Sequence, residues 1–189
     1  KEFLETMILC LDLRSFSSYA RDEGRDEVKG FLERYTQELL AAINAYPVSY
    51  YKLLGDGALI LWDRPGRGDV DNAVELFTLL RWVIAETGPS YGYHNSLAGA
   101  LLVDEVYKYE IYAESSGLKY RDYVGYGINF AFRLQGAARS KELLCTRDLV
   151  DRFGLAASPL APDARPTSES MKGIRERDYE DIQVLVAPD

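Results

Sequence analysis

Two aspartates stand directly at the ends of apolar runs, and this pattern restricts the possible fold more than any other feature of the chain. Residues 7–11 form the first run and are followed by Asp12; residues 58–62 form the second and follow the turn sequence Gly55-Asp56-Gly57. Short apolar runs bounded by turn residues predict buried strands, and an Asp-Gly step between strands predicts a β-hairpin. Taken alone, Asp12 is more simply explained as a helix cap and Asp56 as a turn residue.

The spacing of the two aspartates makes a shared site the more specific interpretation. A strand, a helix and a hairpin in this order place the first strand beside the hairpin in one sheet. The carboxylates of Asp12 and Asp56 are therefore expected to reach one point. Two carboxylates at one point can hold divalent metal ions against a triphosphate.

Strand and helix patterns alternate along the rest of the chain. Helical periodicity of the apolar residues covers 25–45, 70–87 and 126–138, and strand patterns cover 93–103 and 107–113. The order β-α-β-β-α-β predicts an α+β fold of ferredoxin-like type, with an antiparallel-rich sheet and helices on one face. We expect one domain over residues 1–189, a length that suits a single core.

Charge and composition argue against several classes of function. The chain has 189 residues and a net charge of -8, which opposes binding to a nucleic-acid backbone or an anionic membrane. No apolar run approaches the roughly 20 residues of a membrane span, and no signal-peptide pattern is found. We therefore expect a cytoplasmic protein without nucleic-acid or membrane partners. Cys10 and Cys145 lie in apolar runs far apart, which predicts buried thiols.

A third segment carries polar residues at spacings that have a known counterpart. It runs from Asp122-Tyr123 through Asn129 to Arg133-Leu134-Gln135. Together with Leu11-Asp12-Leu13-Arg14-Ser15-Phe16 and Lys52-Leu53-Leu54-Gly55-Asp56-Gly57, it resembles the class III nucleotide cyclases, the adenylate/guanylate cyclase catalytic domain. The resemblance extends from about residue 6 to the end of the chain, and the order of the three motifs makes it specific.

The resemblance implies a role for each matching residue. Asp12 and Asp56, with the backbone carbonyl of Leu13, match the ligands of two divalent metal ions, Mn²⁺ or Mg²⁺. The loop that cradles the β- and γ-phosphates is matched by Leu13, Arg14, Ser15, Phe16 and Ser17. A loop that leads into a helix suits an anion because its amides and the helix dipole point toward it.

The remaining matches concern the nucleoside and the phosphate chain. Asn129 and Arg133 stand four apart and share one helix face, and they match the pair that positions the ribose and stabilises charge on the α-phosphate. Lys52 and Asp122 match the pair that reads a purine base. Lys172 matches the lysine that grips the triphosphate, and an exposed loop lysine is its simpler explanation.

Active sites of this family are composite: one protomer supplies the metal-binding aspartates and the other supplies the residues that read base, ribose and phosphate. This chain carries both sets. The resemblance therefore implies a symmetric homodimer that binds a nucleoside triphosphate at two competent sites. A domain without one of the sets would be a degenerate half.

The substrate base is left open by the sequence. The segment 125–135 is most similar to the stand-alone cyclases of bacterial anti-phage Pycsar systems, which make cyclic UMP or cyclic CMP for an effector encoded elsewhere. Strand alternation puts Tyr50 beside Lys52, where its ring would fill the volume of a purine's second ring. Lys52 and Asp122, in contrast, resemble an ATP-reading pair, so an adenylate cyclase remains an alternative. A non-catalytic dimerisation module and a relative of diguanylate cyclases or polymerase palms are the others.

Overall fold

An eight-stranded sheet forms the centre of the structure, a computed structural model that describes residues 2–189. The strands are β1 (Glu2–Leu13), β2 (Tyr50–Leu54), β3 (Gly57–Asp63), β4 (Leu97–Ala113), β5 (Leu118–Val124), β6 (Leu143–Thr146), β7 (Ser158–Pro159) and β8 (Ile182–Val186). The α-helices are α1 (Phe16–Asp22), α2 (Arg25–Ala45), α3 (Arg67–Thr87), α4 (Tyr126–Ala137), α5 (Arg147–Phe153) and α6 (Glu176–Tyr179). The predicted α+β fold class is confirmed.

Strand β1 lies inside the sheet, between β3 and β4. The strand order is β2-β3-β1-β4-β6-β8-β7, and β5 pairs with β4 outside that path. β1 is antiparallel to both of its neighbours, and Asp12 stands opposite Gly57 on one side and Ala98 on the other. The predicted arrangement, in which the first strand lies beside the β2–β3 hairpin, is therefore confirmed.

The β4–β5 hairpin extends beyond the rest of the sheet. β4 runs without a break over 17 residues, where the sequence pattern predicted two separate strands. Past Lys108, β4 pairs with β5 and no longer with β1. Strand β5 was not predicted, because its residues are mostly polar and exposed and show no apolar alternation. We call this extension the β4–β5 arm. It exposes apolar side chains: Ile111 is 58% exposed and Leu118 is 70% exposed.

Helices cover both faces of the sheet, which corrects the prediction that they share one face. Met7 and Leu9 of β1 pack in a core with residues of α2 and α3. Ile8 and Cys10, which point the other way, pack in a second core with residues of α4 and of the C-terminal segment. The reason is visible in β3, where six consecutive residues are buried. A strand without polar alternation needs cover on both of its faces.

Two simpler predictions concern the cysteines and the membrane. Cys10 and Cys145 are both buried and free, as expected from their apolar surroundings. Within residues 2–189, no helix has the length and apolarity required to cross a bilayer.

Candidate functional site

Asp12 and Asp56 are brought together by the tight turn between β2 and β3. Asp12 lies near the end of β1, and Asp56 lies in the turn, preceded by Gly55 with a left-handed φ of 66°. Gly57 allows the close approach: a Cβ atom there would lie 2.8 Å from the Leu11 carbonyl oxygen and 3.2 Å from the Asp12 Cβ. Only a residue without a side chain fits this contact. The two aspartates therefore lie close together where β1 ends and the β2–β3 hairpin turns, as the sequence predicted.

The surroundings of Asp12 favour a nearby cation. Burial raises the pKa of Asp12; Arg14 opposes this shift, and the charge of Asp56 adds to it. Arg14 Nη2 donates to Asp12 Oδ1 at 2.8 Å and to the carbonyl oxygen of Gln135 at the same distance. One guanidinium thus links the carboxylate to the C-terminal end of α4. The raised pKa shows that this contact does not fully compensate for burial and for the second carboxylate.

The predicted phosphate loop, residues 13–17, follows Asp12 directly. Leu13 is buried at the end of β1, Ser15 has a left-handed φ of 57°, and Phe16 begins α1. The hydroxyl of the buried Tyr93 donates a hydrogen bond to the Arg14 carbonyl oxygen at 2.6 Å and so anchors the loop to the core. Ser17 lies within α1, which has seven residues. A helix this short makes a weak dipole. Within the loop, the Arg14 amide already donates to the Ser96 carbonyl oxygen at 2.8 Å.

Lys52 of β2 and Asp122 of β5 form an ion pair on the side of the sheet that carries the second core. Lys52 Nζ lies 3.3 Å from Asp122 Oδ2. Asp122 also accepts hydrogen bonds from the Tyr120 hydroxyl at 2.7 Å and from the Tyr123 amide at 2.8 Å. Burial acts to raise the pKa of Asp122, but these hydrogen bonds and the lysine outweigh burial and hold the pKa below its usual range. The carboxylate is therefore ionised and fully partnered.

Tyr50 borders the same group. Its ring centroid lies 4.7 Å from that of Tyr123, and it precedes Lys52 by two residues on β2. Burial and the neighbouring Asp122 raise the pKa of Tyr50, so its hydroxyl stays protonated and can donate a hydrogen bond. The sequence prediction that Tyr50 and Lys52 share one face agrees with this contact.

Asn129 and Arg133 lie on the outer side of α4. The helix buries Ile128, Ala131 and Leu134 against the sheet, and leaves Asn129 and Arg133 exposed. These two residues line an open cleft together with Lys172, Gly173 and Ile174. The structure thus brings Lys172 to the Asn129–Arg133 pair, although about 40 residues separate them in the sequence.

The predicted residues fall into two groups. We call Asp12, Asp56 and residues 13–17 the strand-end half, and Lys52, Asp122, Asn129, Arg133 and Lys172 the helix half. Asn129 and Arg133 point to solvent, away from the sheet surface on which Asp12 lies. Asn129 and Arg133 of one protomer are therefore not directed at its own Asp12.

Several residues of this region were missed by the sequence reasoning. Tyr120 binds Asp122 from two positions earlier on β5, and strand alternation would have pointed to it once β5 was known. Tyr126 binds Asp178 and the Arg175 amide across about 50 residues of sequence. No sequence pattern in a single chain predicts that second contact.

Comparison with known proteins finds structures of similar fold. No protein-family model matches the chain, and no curated protein sequence matches it. Among solved structures, the adenylyl cyclase CyaB from P. aeruginosa superposes with a TM-score of 0.79 at 15% identity, over 100% of this chain and 96% of that one. The guanylyl cyclase Cya2 gives a TM-score of 0.77 at 19% identity, over 98% and 93% of the two chains.

A third neighbour extends the comparison to a fungal protein. The guanylate cyclase domain of RhGC from Catenaria anguillulae, in complex with GTP, gives a TM-score of 0.75 at 14% identity, over 100% of both chains. Because identities are this low, the likeness establishes the fold of adenylyl and guanylyl cyclase domains for this chain, and the chemistry depends on the residues described above.

Proposed function

We propose that this chain is a nucleotide cyclase domain, which converts a nucleoside triphosphate to a 3′,5′-cyclic nucleotide and pyrophosphate. One observation carries the proposal: a single chain with the cyclase fold holds both the Asp12–Asp56 pair at the strand ends and a cleft lined by Asn129, Arg133 and Lys172. The strand-end half offers carboxylates and loop amides, and the helix half offers cations and an amide side chain. Together they supply groups that can position the substrate and neutralise its charge, which are the two requirements of phosphoryl transfer.

Asp12 and Asp56, with the Leu13 carbonyl, are the residues that would hold two divalent metal ions. Among residues 2–189 no cluster of three or more His, Cys, Asp or Glu side chains could hold a metal on its own. Ions such as Mg²⁺ or Mn²⁺ use one or two carboxylates and take further oxygens from phosphates and water. The raised pKa of Asp12 fits such an ion, because a bound cation would offset its burial and the charge of Asp56. Such ions activate the 3′-hydroxyl and neutralise phosphate charge.

The chain's own side chains account for the remaining steps. Lys172 binds the phosphate chain together with the loop amides that follow Arg14, whose own amide donates to the Ser96 carbonyl oxygen, and Asn129 orients the ribose. As the 3′-oxygen attacks the α-phosphorus, Arg133 stabilises the negative charge that develops there. The bond from the α-phosphorus to the bridging oxygen breaks, pyrophosphate leaves with the electron pair, and the proton of the 3′-hydroxyl passes to water.

A symmetric homodimer would complete both active sites. The strand-end half of one protomer would face the helix half of its partner, and the reverse at the second site. Exposed apolar side chains on the β4–β5 arm and on the β2–β3 hairpin support such an interface. They include Leu53, Leu54, Ile111, Tyr112 and Leu118, each at least 38% exposed.

Tyr50 supports a pyrimidine triphosphate, UTP or CTP, as the substrate. The ring of Tyr50 rests against Tyr123 beside the Lys52–Asp122 pair, where a purine's second ring would need space. Discrimination between bases requires only a few kcal/mol, which one packed ring can provide. A second candidate is ATP, because Lys52 and Asp122 are preserved as an ion pair at 3.3 Å. A pyrimidine product would fit second-messenger signalling in anti-phage defence, with an effector encoded elsewhere.

A turnover assay tests the function directly. Purified protein would be incubated with Mn²⁺ and, separately, with UTP, CTP, ATP and GTP, and the products would be identified by mass spectrometry. Cyclic UMP or cyclic CMP is the expected product. Cyclic AMP would retain the cyclase and reject the pyrimidine assignment. Metal-dependent nucleotide binding without any cyclic product would support a non-catalytic dimerisation module instead.

A further inference from the structure

A cluster of three side chains ties the C-terminal segment to the first residue of α4. The hydroxyl of Tyr126 donates to Asp178 Oδ2 at 2.7 Å and accepts from the Arg175 amide at 2.8 Å. Arg175 Nε donates to the same carboxylate oxygen at 2.7 Å, and its guanidinium carbon lies 4.9 Å from the centroid of the Tyr126 ring. The Tyr126 hydroxyl both donates and accepts a hydrogen bond, and its ring contacts the Arg175 guanidinium. These three contacts together hold residues 175 and 178 in one position against α4.

The cluster lies next to the residue that the proposed function assigns to the triphosphate. Only Lys172, Gly173 and Ile174 separate the buried Met171 from Arg175. Gly173 has a left-handed φ of 83°, and the Ile174 amide donates to the Met171 carbonyl at 2.9 Å. Lys172 is therefore held on a short tight turn, anchored in the core at one end and on Tyr126 at the other.

Helix geometry links this anchor to the pair that lines the cleft. Tyr126, Asn129 and Arg133 are spaced by three and four residues, so they follow one face of α4. The helix face that carries Asn129 and Arg133 thus also holds the turn that carries Lys172. Without that tie, the backbone of the turn would have to become ordered when Lys172 binds an anion, and the lysine would bind it more weakly.

We propose that Tyr126, with Asp178 and Arg175, is a positioning residue that fixes Lys172 relative to Asn129 and Arg133 for binding the phosphate chain. The proposal rests on the proposed function for the role of Lys172. It gives Tyr126, Asp178 and Arg175 a role through Lys172, without requiring that they contact the nucleotide. Removing the Tyr126 hydroxyl while keeping its ring should loosen the turn and leave the core intact.

The experiment measures anion binding without turnover, so that its failure is distinct from failure of the cyclase assignment. The dissociation constant of inorganic tripolyphosphate would be measured with Mn²⁺ for the wild type, Tyr126→Phe, Lys172→Ala and the double variant. Tyr126→Phe should bind about tenfold more weakly, as expected for a lost hydrogen bond to a charged partner. In the Lys172→Ala background the same change should have no further effect, because the lysine it positions is absent. Asp178→Ala, which opens the cluster from its other side, should weaken binding in the same way.

A structural measurement and a matched control complete the test. Hydrogen exchange of the Arg175 amide should accelerate in Tyr126→Phe, because that amide loses its acceptor. Tyr46→Phe removes another tyrosine hydroxyl, one bonded to Glu75, and should change neither measurement. Equal weakening by Tyr126→Phe with and without Lys172 would overturn the proposal. So would unchanged exchange at Arg175, or a wild-type protein that does not bind tripolyphosphate.

Discussion

Asp12 and Asp122 lie in different halves of the candidate site, and their surroundings shift their pKa values in opposite directions. Burial and the charge of Asp56 raise the pKa of Asp12 in spite of its contact with Arg14. Three hydrogen-bond donors overcome burial at Asp122 and lower its pKa. The strand-end half is thus short of positive charge, whereas the helix half is already neutralised around its carboxylate.

The difference indicates what each half still needs. The strand-end half gains from a cation that the chain does not supply, which matches a role in binding metal ions and phosphates. In the helix half, Asn129, Arg133 and Lys172 face solvent without a carboxylate among the lining residues of their cleft. The charge of this cleft suits an anion, and in the proposed dimer that anion would be a triphosphate held by the strand-end half of the partner.

Removing a carboxylate from the strand-end half should have the largest effect. Asp56→Ala is expected to lower kcat by roughly 10³-fold or more, because metal ions contribute several kcal/mol to phosphoryl transfer. The dimer should stay folded, since Asp56 lies in a turn, as size-exclusion chromatography and circular dichroism would check. Asp71→Ala, which removes an exposed carboxylate paired with Arg67 on α3, is the control and should keep full activity. Retained turnover in Asp56→Ala would reject the metal assignment.

Removing a cation from the helix half should have a somewhat smaller effect and also tests whether the halves belong to different protomers. Arg133→Ala is expected to lower kcat by about 10²- to 10³-fold. Mixing and refolding it with Asp56→Ala should restore about a quarter of the wild-type rate, since half of the dimers would be mixed and each would hold one intact site. If both halves served one active site within a protomer, mixing would restore nothing.

The base preference should respond to Tyr50 by a smaller factor. Tyr50→Ala opens the space beside Lys52 and is expected to reduce the preference for UTP or CTP over ATP by about tenfold in kcat/KM. Tyr51→Ala is the matched control, because its side chain points to the other face of β2 and is 46% exposed. A preference that moves equally in both variants would mean that Tyr50 supports the strand and does not select the base.

The sequence indicated where Asp12 and Asp56 would lie but did not indicate the contacts of Tyr120 and Tyr126, and the reason is physical. Asp12 and Asp56 are fixed by local rules, namely apolar runs, a tight turn and strand pairing. Tyr120 and the Tyr126–Asp178 contact depend on β5 and on the C-terminal segment, whose patterns are polar and irregular. Tertiary contacts between such segments leave no periodic signal.

The placement of the helices shows the same limit in the fold. Periodicity predicted α2 at its exact bounds and α4 to within one residue, yet their assignment to one face was wrong. The information was present in β3, whose apolar run has no polar alternation and therefore needs cover on both faces. Helix periodicity shows that a helix has an apolar side. The pattern of the strands shows whether one face or both faces of the sheet must be covered by helices.

The smallest expected effect concerns stability and uses the lowered pKa of Asp122. A carboxylate whose folded pKa lies below its unfolded value stabilises the fold at neutral pH and loses that contribution as the pH falls through the folded pKa. Asp122→Asn keeps the shape and should cost about 1 kcal/mol at pH 7, since the side chain is only 13% exposed. The difference from wild type should shrink between about pH 5 and pH 3, as measured by chemical denaturation. A difference that is constant with pH would mean that the Asp122 charge contributes nothing, and that the helix half is held by its hydrogen bonds alone.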